Sequence, residues 1–333
     1  MSTKGTFSFA GIGRRQLLLA AGGTAVMAGV GVAEAAPSDN QPAMARWRST
    51  ETIELWPGGP PGGDRFRPRS MPQETNPAHI FNIARPALRV FRAERPTGQG
   101  LLVLPGGGYA FVSVDNEGVD VADRFTAMGM TVFVLTYRLP GEGWPERKDV
   151  PLADARRALR LIRARAREFR VVPDRVSVMG FSAGGHLAAS LATDYAKPLH
   201  QPSDDVDRLS ARPFAAALLY PVVMMQPPYT HSGSRELLLG PNPSAADVVA
   251  RSPASHIGAD TPPMFLAQAM DDDVVPVDNS LAALDAMRRA GRPVEAHLFQ
   301  RGQHAFGTGR PGTPSASWPD LFASWLGRLG DAG

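Results

Sequence analysis

Short apolar segments alternate with helical patterns along most of the chain, and this alternation constrains the fold more than any other feature. The apolar segments are four to seven residues long, and several contain almost no polar residues. Such segments are typical of strands that helices cover on both faces. The alternation therefore predicts one α/β domain with a mostly parallel central sheet and helices on both faces. The predicted strands are 88–91, 101–104, 131–137, 176–179, 215–220, 264–267 and 294–299. The predicted helices are 117–127, 152–169, 182–192, 278–290 and 319–329.

The composition is typical of a globular domain and excludes several kinds of functional site. Hydrophobic residues make up 43% of the 333 residues and charged residues 20%, which excludes a fibrous or disordered chain. The sequence contains no cysteine. Disulfides, thiolate nucleophiles and metal sites with sulfur ligands are therefore excluded.

The first 35 residues have the pattern of a twin-arginine signal peptide. Arg14 and Arg15 precede the apolar or small residues 17–32, and Ala33-Glu34-Ala35 supplies small residues at a cleavage site. The apolar run falls short of the roughly 20 residues that span a bilayer, so no stable membrane anchor is expected. We therefore expect a periplasmic or secreted protein with a signal peptide at residues 1–35.

The residues after the predicted signal peptide form a polar segment at 36–51 and a single α/β domain at 52–333. Removing residues 1–35 would leave 32 basic and 31 acidic side chains, a net charge of +1. A near-neutral chain is not expected to bind nucleic acid. The arginines that follow one arc of the helix predicted at 152–169 are interpreted as a solvated face. They are Arg156, Arg160, Arg163 and Arg167.

One segment has the pattern of a nucleophile elbow. The sequence Gly180-Phe181-Ser182-Ala183-Gly184 lies between an apolar strand and an alanine-rich helix. A sharp strand-to-helix turn would hold Ser182 in a strained conformation, and side chains at positions 180 and 184 would collide with neighbouring backbone. Ser182 is therefore the candidate nucleophile.

A serine nucleophile needs a base and an acid later in the chain. Of the seven histidines, His304 lies in a glycine-flanked loop directly after the last predicted strand. Three adjacent aspartates, Asp271, Asp272 and Asp273, follow the preceding strand, and any of the three could orient the histidine. A calcium loop is disfavoured because the following Val-Val-Pro offers no oxygen side chains, so no metal is expected.

The loop Pro105-Gly106-Gly107-Gly108-Tyr109 follows the strand predicted at 101–104 and can present successive backbone amides. Such amides suit an oxyanion hole, where negative charge develops on an attacked carbonyl. A phosphate-binding loop is disfavoured because no Lys-Ser or Lys-Thr follows the glycines.

Together these motifs resemble the α/β-hydrolase-fold acetyl esterases, closest to the bacterial acetylxylan esterase-like group, which also contains feruloyl esterases. The similarity covers about residues 52–330. The motifs that carry it are Leu55-Trp56-Pro57-Gly58-Gly59, Pro105-Gly106-Gly107-Gly108-Tyr109, Tyr137-Arg138-Leu139, Gly180-Phe181-Ser182-Ala183-Gly184-Gly185-His186, Asp272-Asp273-Val274-Val275-Pro276 and Gly302-Gln303-His304-Ala305-Phe306-Gly307.

The resemblance assigns roles to individual residues. It implies an α/β-hydrolase fold with Ser182 as nucleophile, His304 as base and Asp272 as acid, because related sequences carry the acid in Asp-x-x-Val-Pro. The backbone N–H groups of Gly107, Gly108 and Ala183 would form the oxyanion hole. This sequence departs from the pattern at Pro105, where a histidine is common, and at Ala305, where a glycine often follows the base.

The implied function is a serine carboxylesterase that cleaves short acyl esters, acetyl esters above all, on a xylan-type polysaccharide or oligosaccharide and without a cofactor. Tyr109 would bind substrate by packing on a sugar ring. The alternatives are a prolyl oligopeptidase-like peptidase, for which the chain lacks room for a preceding β-propeller, and a non-catalytic carbohydrate-binding relative. Acetyl and feruloyl esters, a small-molecule alcohol and any oligomeric state remain open at this point.

Three further expectations concern supporting residues. An ion pair between Glu117 and Arg138 would brace the oxyanion loop. Asp271 would close the end of its strand, and Asp273 would cap the helix that begins near Val277.

Overall fold

A computed structural model of the chain describes residues 41–70 and 75–331. The predicted signal peptide at 1–35 lies outside the described residues. The strands are β1 (Glu51–Glu54), β2 (His79–Ile80), β3 (Ala87–Phe91), β4 (Gly100–Leu104), β5 (Val112–Ser113), β6 (Thr131–Thr136), β7 (Val176–Phe181), β8 (Ala216–Leu219), β9 (Met264–Ala269) and β10 (Val294–Phe299). The α-helices are α1 (Gln41–Ser49), α2 (Asp120–Thr126), α3 (Val150–Ala164), α4 (Ser182–Asp194), α5 (Ser232–Leu239), α6 (Ala245–Ala250), α7 (Asp278–Arg289) and α8 (Trp318–Asp331).

Eight of the strands form one sheet in the order β1-β3-β6-β4-β7-β8-β9-β10. The strands from β6 to β10 in this order pair in parallel, whereas β1 and β3 add an antiparallel edge. The predicted mostly parallel sheet of the α/β-hydrolase fold is therefore confirmed.

Helices cover both faces of the centre of this sheet. Every residue of β4 and of β7 is buried, which requires a cover on each face because successive side chains point to opposite sides. Phe125 of α2 packs against Phe322 of α8 with ring centroids 5.6 Å apart, and α3 packs on α4. Loops at the carboxyl ends of neighbouring parallel strands consequently meet at one edge, where α/β proteins place their ligands.

The predicted elements are observed, with shifts at their ends. The helix predicted at 152–169 is α3, which ends at Ala164 because Arg165 leaves the helical conformation. The helix predicted to begin at residue 117 begins at Asp120, preceded by a π-helical turn over Asp115–Val119.

The polar segment predicted at 36–51 contains a helix in its described part, which was not predicted from the sequence. Residues Gln41–Ser49 form α1, and Ala43, Met44 and Trp47 of this helix are buried. The guanidinium group of Arg89 lies 5.0 Å from the centroid of the Trp47 ring. The apolar side chains are few, but their spacing places them on one face of a helix.

The arginines of α3 do not form the solvated face that the sequence predicts, whereas Arg167, which lies beyond the end of α3, is exposed. Arg160 Nε donates to the carbonyl of Leu209 at 2.8 Å, and Arg163 Nη2 donates to the carbonyl of Arg212 at 2.7 Å. Arg156 donates to the carbonyl of Lys197. These guanidinium groups therefore fix the long connection between α4 and β8.

Within residues 41–70 and 75–331, no helix is long and apolar enough to cross a membrane.

Candidate active site

Ser182 lies at the junction of β7 and α4, in the strained turn that the sequence predicts. Its φ angle is 51°, in the left-handed region that residues with a side chain avoid. A Cβ atom on Gly180 would lie 2.1 Å from the Gly184 carbonyl oxygen, and one on Gly184 would lie 2.0 Å from the Leu104 carbonyl oxygen. The predicted collisions are confirmed, and they explain why only glycine fits at both positions.

Hydrogen bonds connect Ser182, His304 and Asp272 in a continuous chain. Ser182 Oγ lies 3.0 Å from His304 Nε2, and His304 Nδ1 lies 2.9 Å from Asp272 Oδ2. A carboxylate only accepts hydrogen bonds, so this contact assigns the histidine proton to Nδ1 and leaves Nε2 to accept from the serine hydroxyl. The side chain of Asp272 is 0% exposed and that of His304 is 14% exposed. The structure therefore brings the three predicted residues together.

The turn after β9 separates the roles of the three adjacent aspartates. Asp272 Oδ1 accepts from the backbone N–H groups of Val274 at 3.0 Å and Val275 at 2.9 Å. Asp271 Oδ1 accepts from the N–H of Gln303 at 2.8 Å, so this residue holds the loop that carries His304 rather than closing its own strand. The predicted helix cap by Asp273 is wrong, because Val277 occupies the cap position of α7 without a side-chain bond.

The predicted oxyanion loop lies beside the serine. A Cβ atom on Gly106 would lie 3.0 Å from the Ser182 Cβ atom. No described residue accepts a hydrogen bond from the N–H of Gly107 or of Gly108. The N–H of Ala183 belongs to the first turn of α4, which has no acceptor within the helix. Gly107 has a φ of 119° and packs so tightly on Phe111 that no side chain fits there.

Glu117 braces this loop, but not through Arg138 as expected. Its Oε2 accepts from the Gly106 N–H at 2.7 Å, and its Oε1 accepts from the Tyr220 hydroxyl at 2.8 Å. Burial raises the pKa of Glu117, while the bonds from Tyr220 and Gly106 oppose the rise. Tyr220 packs edge-on against the His304 ring with centroids 4.9 Å apart, so the same network supports the base.

Arg138 forms a buried ion pair with Asp154 instead. Its Nη2 lies 2.8 Å from Asp154 Oδ1, and its Nε lies 2.9 Å from Asp154 Oδ2. Both side chains are almost completely buried, and Trp56 Nε1 donates to the same carboxylate at 2.9 Å. The predicted Glu117–Arg138 pair is therefore wrong, because α3 supplies a carboxylate to the arginine that follows β6.

The prediction that Tyr109 packs on a sugar ring is also wrong. Its side chain is 1% exposed and turns into the protein, where its hydroxyl lies 2.7 Å from His186 Nδ1. His186 Nε2 lies 2.8 Å from the carbonyl oxygen of Arg251, which fixes the proton on Nε2 and makes Nδ1 the acceptor for Tyr109. Burial lowers the pKa of His186 to about 4. Tyr109 thus anchors the oxyanion loop instead of facing substrate.

Two supporting residues were not predicted. Gln268 of β9 donates from Nε2 to Asp272 Oδ2 at 3.2 Å, and Tyr220 follows β8 at the same edge of the sheet. The position of Tyr220 at the end of the apolar strand predicted at 215–220 was a usable signal. Gln268 gave none, because a polar residue within a strand is more often structural.

Within the described residues, no group of three or more His, Asp or Glu side chains is arranged to hold a metal ion. Asp271 and Asp272 of the 271–273 turn instead accept hydrogen bonds from backbone N–H groups, and Asp272 also bonds to His304.

Comparisons with known proteins agree with this arrangement. Residues 93–287 match the BD-FAE family, which is more than half of the chain. The chain is 34% identical over 227 residues to an endo-1,4-beta-xylanase B of Butyrivibrio fibrisolvens, with 68% of this chain and 34% of that protein covered. It is 31% identical over 226 residues to an acetylxylan esterase of Xylanibacter ruminicola, with 66% of this chain and 43% of that protein covered. The chain thus spans less than half the length of these two relatives.

A solved structure covers the domain more completely. An acetyl ester-xyloside bifunctional hydrolase from Caldicellulosiruptor lactoaceticus superimposes with a TM-score of 0.71 at 32% identity, covering 84% of this chain and 97% of that one. The chain therefore belongs to the BD-FAE family, and the predicted resemblance to α/β-hydrolase-fold acetyl esterases is confirmed.

Proposed function

We propose that the protein is a serine carboxylesterase that hydrolyses short acyl esters, acetyl esters above all. The observation that carries this proposal is the hydrogen-bond chain Asp272–His304–Ser182, which ends beside backbone N–H groups that have no acceptor among the described residues. The esterase names of the relatives support it.

The geometry supports acylation of Ser182 in the first step. His304 Nε2 takes the hydroxyl proton as Oγ attacks the ester carbonyl carbon. The charge that develops on the carbonyl oxygen is stabilised by the N–H groups of Gly107, Gly108 and Ala183. Asp272 stabilises the charged imidazole through Nδ1–H. The imidazolium then returns the proton to the departing alcohol oxygen.

Deacylation repeats these steps with water. His304 takes a proton from a water molecule that attacks the acyl-enzyme carbonyl, and it then returns a proton to Ser182 Oγ as the acid leaves. The chain's own residues supply every proton transfer in the cycle. We propose that no cofactor takes part.

The proposed substrate is an acetyl ester on a xylan-type polysaccharide or oligosaccharide. The names of the xylanase, the acetylxylan esterase and the acetyl ester-xyloside hydrolase support this choice. Hydrolysis rates over 4-nitrophenyl esters from acetate to decanoate test the acyl preference, with Ser182→Ala as the inactive control. We expect kcat/KM to fall steeply beyond butyrate. Faster hydrolysis of decanoate than of acetate would contradict the proposal.

We also propose export through the twin-arginine pathway, which rests on Arg14, Arg15 and the Ala33-Glu34-Ala35 cleavage site. N-terminal sequencing of the exported protein is expected to begin at Ala36. Export that is unaffected by Arg14→Lys with Arg15→Lys would contradict this proposal.

A further inference from the structure

His231 lies next to the oxyanion loop and is not part of the proposed catalytic chain. It precedes α5, and a Cβ atom on Gly108 would lie 3.5 Å from its Cε1 atom. The charges of His304 and Asp272 both act on its ionisation, which places the imidazole within electrostatic reach of the catalytic groups. His231 therefore lies at the edge of the space where the ester must bind.

Hydrogen bonds fix the orientation and the tautomer of this imidazole. Nδ1 accepts from the backbone N–H of Ser234 at 3.2 Å and lies 2.8 Å from Ser234 Oγ. Because Nδ1 accepts a backbone N–H, the proton of the neutral ring is on Nε2. Burial lowers the pKa of His231, so the neutral form is favoured.

The Nε2–H group has no hydrogen-bond partner among residues 41–70 and 75–331, and it is not sealed from solvent. The backbone that carries His231 is nevertheless held in place. Asn279 Nδ2 donates to the carbonyl of Tyr229 at 2.8 Å, and Arg235 Nε donates to the carbonyl of Met225 at 3.1 Å. The structure thus presents a fixed N–H donor beside the oxyanion loop, and no described residue accepts from it.

The chemistry of an ester limits what this donor can bind. The carbonyl oxygen is already matched by the N–H groups of Gly107, Gly108 and Ala183, and an acetyl methyl group accepts no hydrogen bond. Only the alcohol half offers further acceptors, such as a neighbouring hydroxyl or a ring oxygen. We infer that His231 is a substrate-binding residue whose Nε2–H donates to the alcohol half and so selects polyhydroxylated alcohols such as sugars.

This inference rests on the proposed esterase function, and it competes with a purely structural role as the N-terminal cap of α5. Two substitutions separate the roles. His231→Asn keeps a side-chain acceptor at the cap position but is too short to place a donor where Nε2 lies. His231→Gln places an amide N–H near the Nε2 position but caps the helix poorly. Ser244→Ala is the matched control, because Ser244 caps α6 through the Asp247 N–H at 3.0 Å.

The measurement is the ratio of kcat/KM for a singly acetylated methyl β-xylopyranoside to kcat/KM for 4-nitrophenyl acetate. Both esters carry the same acyl group, but only the first has hydroxyl groups near the ester. We expect His231→Asn to lower this ratio about tenfold, because a tenfold change corresponds to the free energy of about one hydrogen bond. His231→Gln should keep the ratio within about threefold of wild type, and Ser244→Ala should leave it unchanged.

Two results would overturn the inference while leaving the esterase proposal intact. One is a ratio in His231→Asn within about twofold of wild type, and the other is an equal fall in His231→Asn and His231→Gln. A wild-type protein that hydrolyses neither ester would overturn the proposed function and this inference with it.

Discussion

Acidification is expected to destabilise the protein through His186, the buried imidazole that anchors the oxyanion loop. The neutral ring donates from Nε2 to the Arg251 carbonyl and accepts at Nδ1 from the Tyr109 hydroxyl. Burial is the main reason why the pKa of His186 falls from 6.5 to about 4. Between pH 6.5 and about pH 4 His186 is protonated in the unfolded chain but mostly neutral in the folded protein. The free energy of unfolding therefore decreases as the pH falls through this range.

The magnitude follows from the two pKa values. At pH 7 the histidine is neutral in both states and contributes almost nothing to the pH dependence. At pH 4 it is protonated in the unfolded chain and half protonated in the folded protein, for the pKa values of 6.5 and about 4. The difference corresponds to about 3 kcal/mol of unfolding free energy lost between pH 7 and pH 4.

Urea unfolding of the wild type and of His186→Gln at pH 7, 6, 5 and 4 isolates this contribution. A glutamine can also donate to the Arg251 carbonyl and accept from Tyr109, but it does not titrate. Other groups, such as the buried Glu117, titrate alike in both proteins and cancel in the difference. We expect the wild type to lose about 3 kcal/mol relative to the variant on going from pH 7 to pH 4. A difference that stays constant over this range would refute the reasoning.

Four further substitutions test the catalytic acid and the residues that support the site. Asp272→Asn should lower kcat by about 10⁴, because an asparagine no longer keeps the His304 proton on Nδ1. Asp273→Asn should keep near-normal kcat. Steady-state kinetics of the two folded variants compare them directly. Glu117→Gln should lower the unfolding free energy by about 1–3 kcal/mol in urea titrations, because an amide cannot accept from both Gly106 and Tyr220, and an unchanged midpoint would contradict the brace. Ala305→Gly should raise the unfolding free energy by about 0.5–1 kcal/mol, because Ala305 has a φ of 54°, and a lower Tm in calorimetry would contradict this.

The fold and the reacting residues could be predicted because their signals are local. The hydrophobic pattern within each segment is enough to predict an apolar strand or the helix that follows it. The Gly-x-Ser-x-Gly motif likewise predicts the backbone geometry of its own turn. The positions of Ser182, His304 and the three-aspartate turn then follow from the common edge at which parallel strands end. The choice of Asp272 among the three aspartates comes from the family resemblance.

Side-chain directions and long-range partners could not be predicted in the same way. Tyr109 has a φ of 63°, and its hydroxyl bonds to His186, 77 positions away in the chain. Arg138 has a carboxylate partner, as expected, but α3 supplies it as Asp154. Glu117 has the hydroxyl of Tyr220 as its side-chain partner instead of a cation. These side-chain partners depend on how several elements pack together, so no local sequence pattern predicts them.

The central claim is that Ser182 is a nucleophile activated by His304, and a covalent label tests it most directly. Paraoxon phosphorylates a serine rapidly and selectively where a base withdraws its proton and an oxyanion hole receives the phosphoryl oxygen. Intact-mass spectrometry with peptide mapping should find a single diethylphosphoryl group on Ser182, with loss of 4-nitrophenyl acetate hydrolysis in proportion to labelling and far slower labelling in His304→Ala. A label on another serine, or full esterase activity after Ser182 has been labelled, would contradict the account.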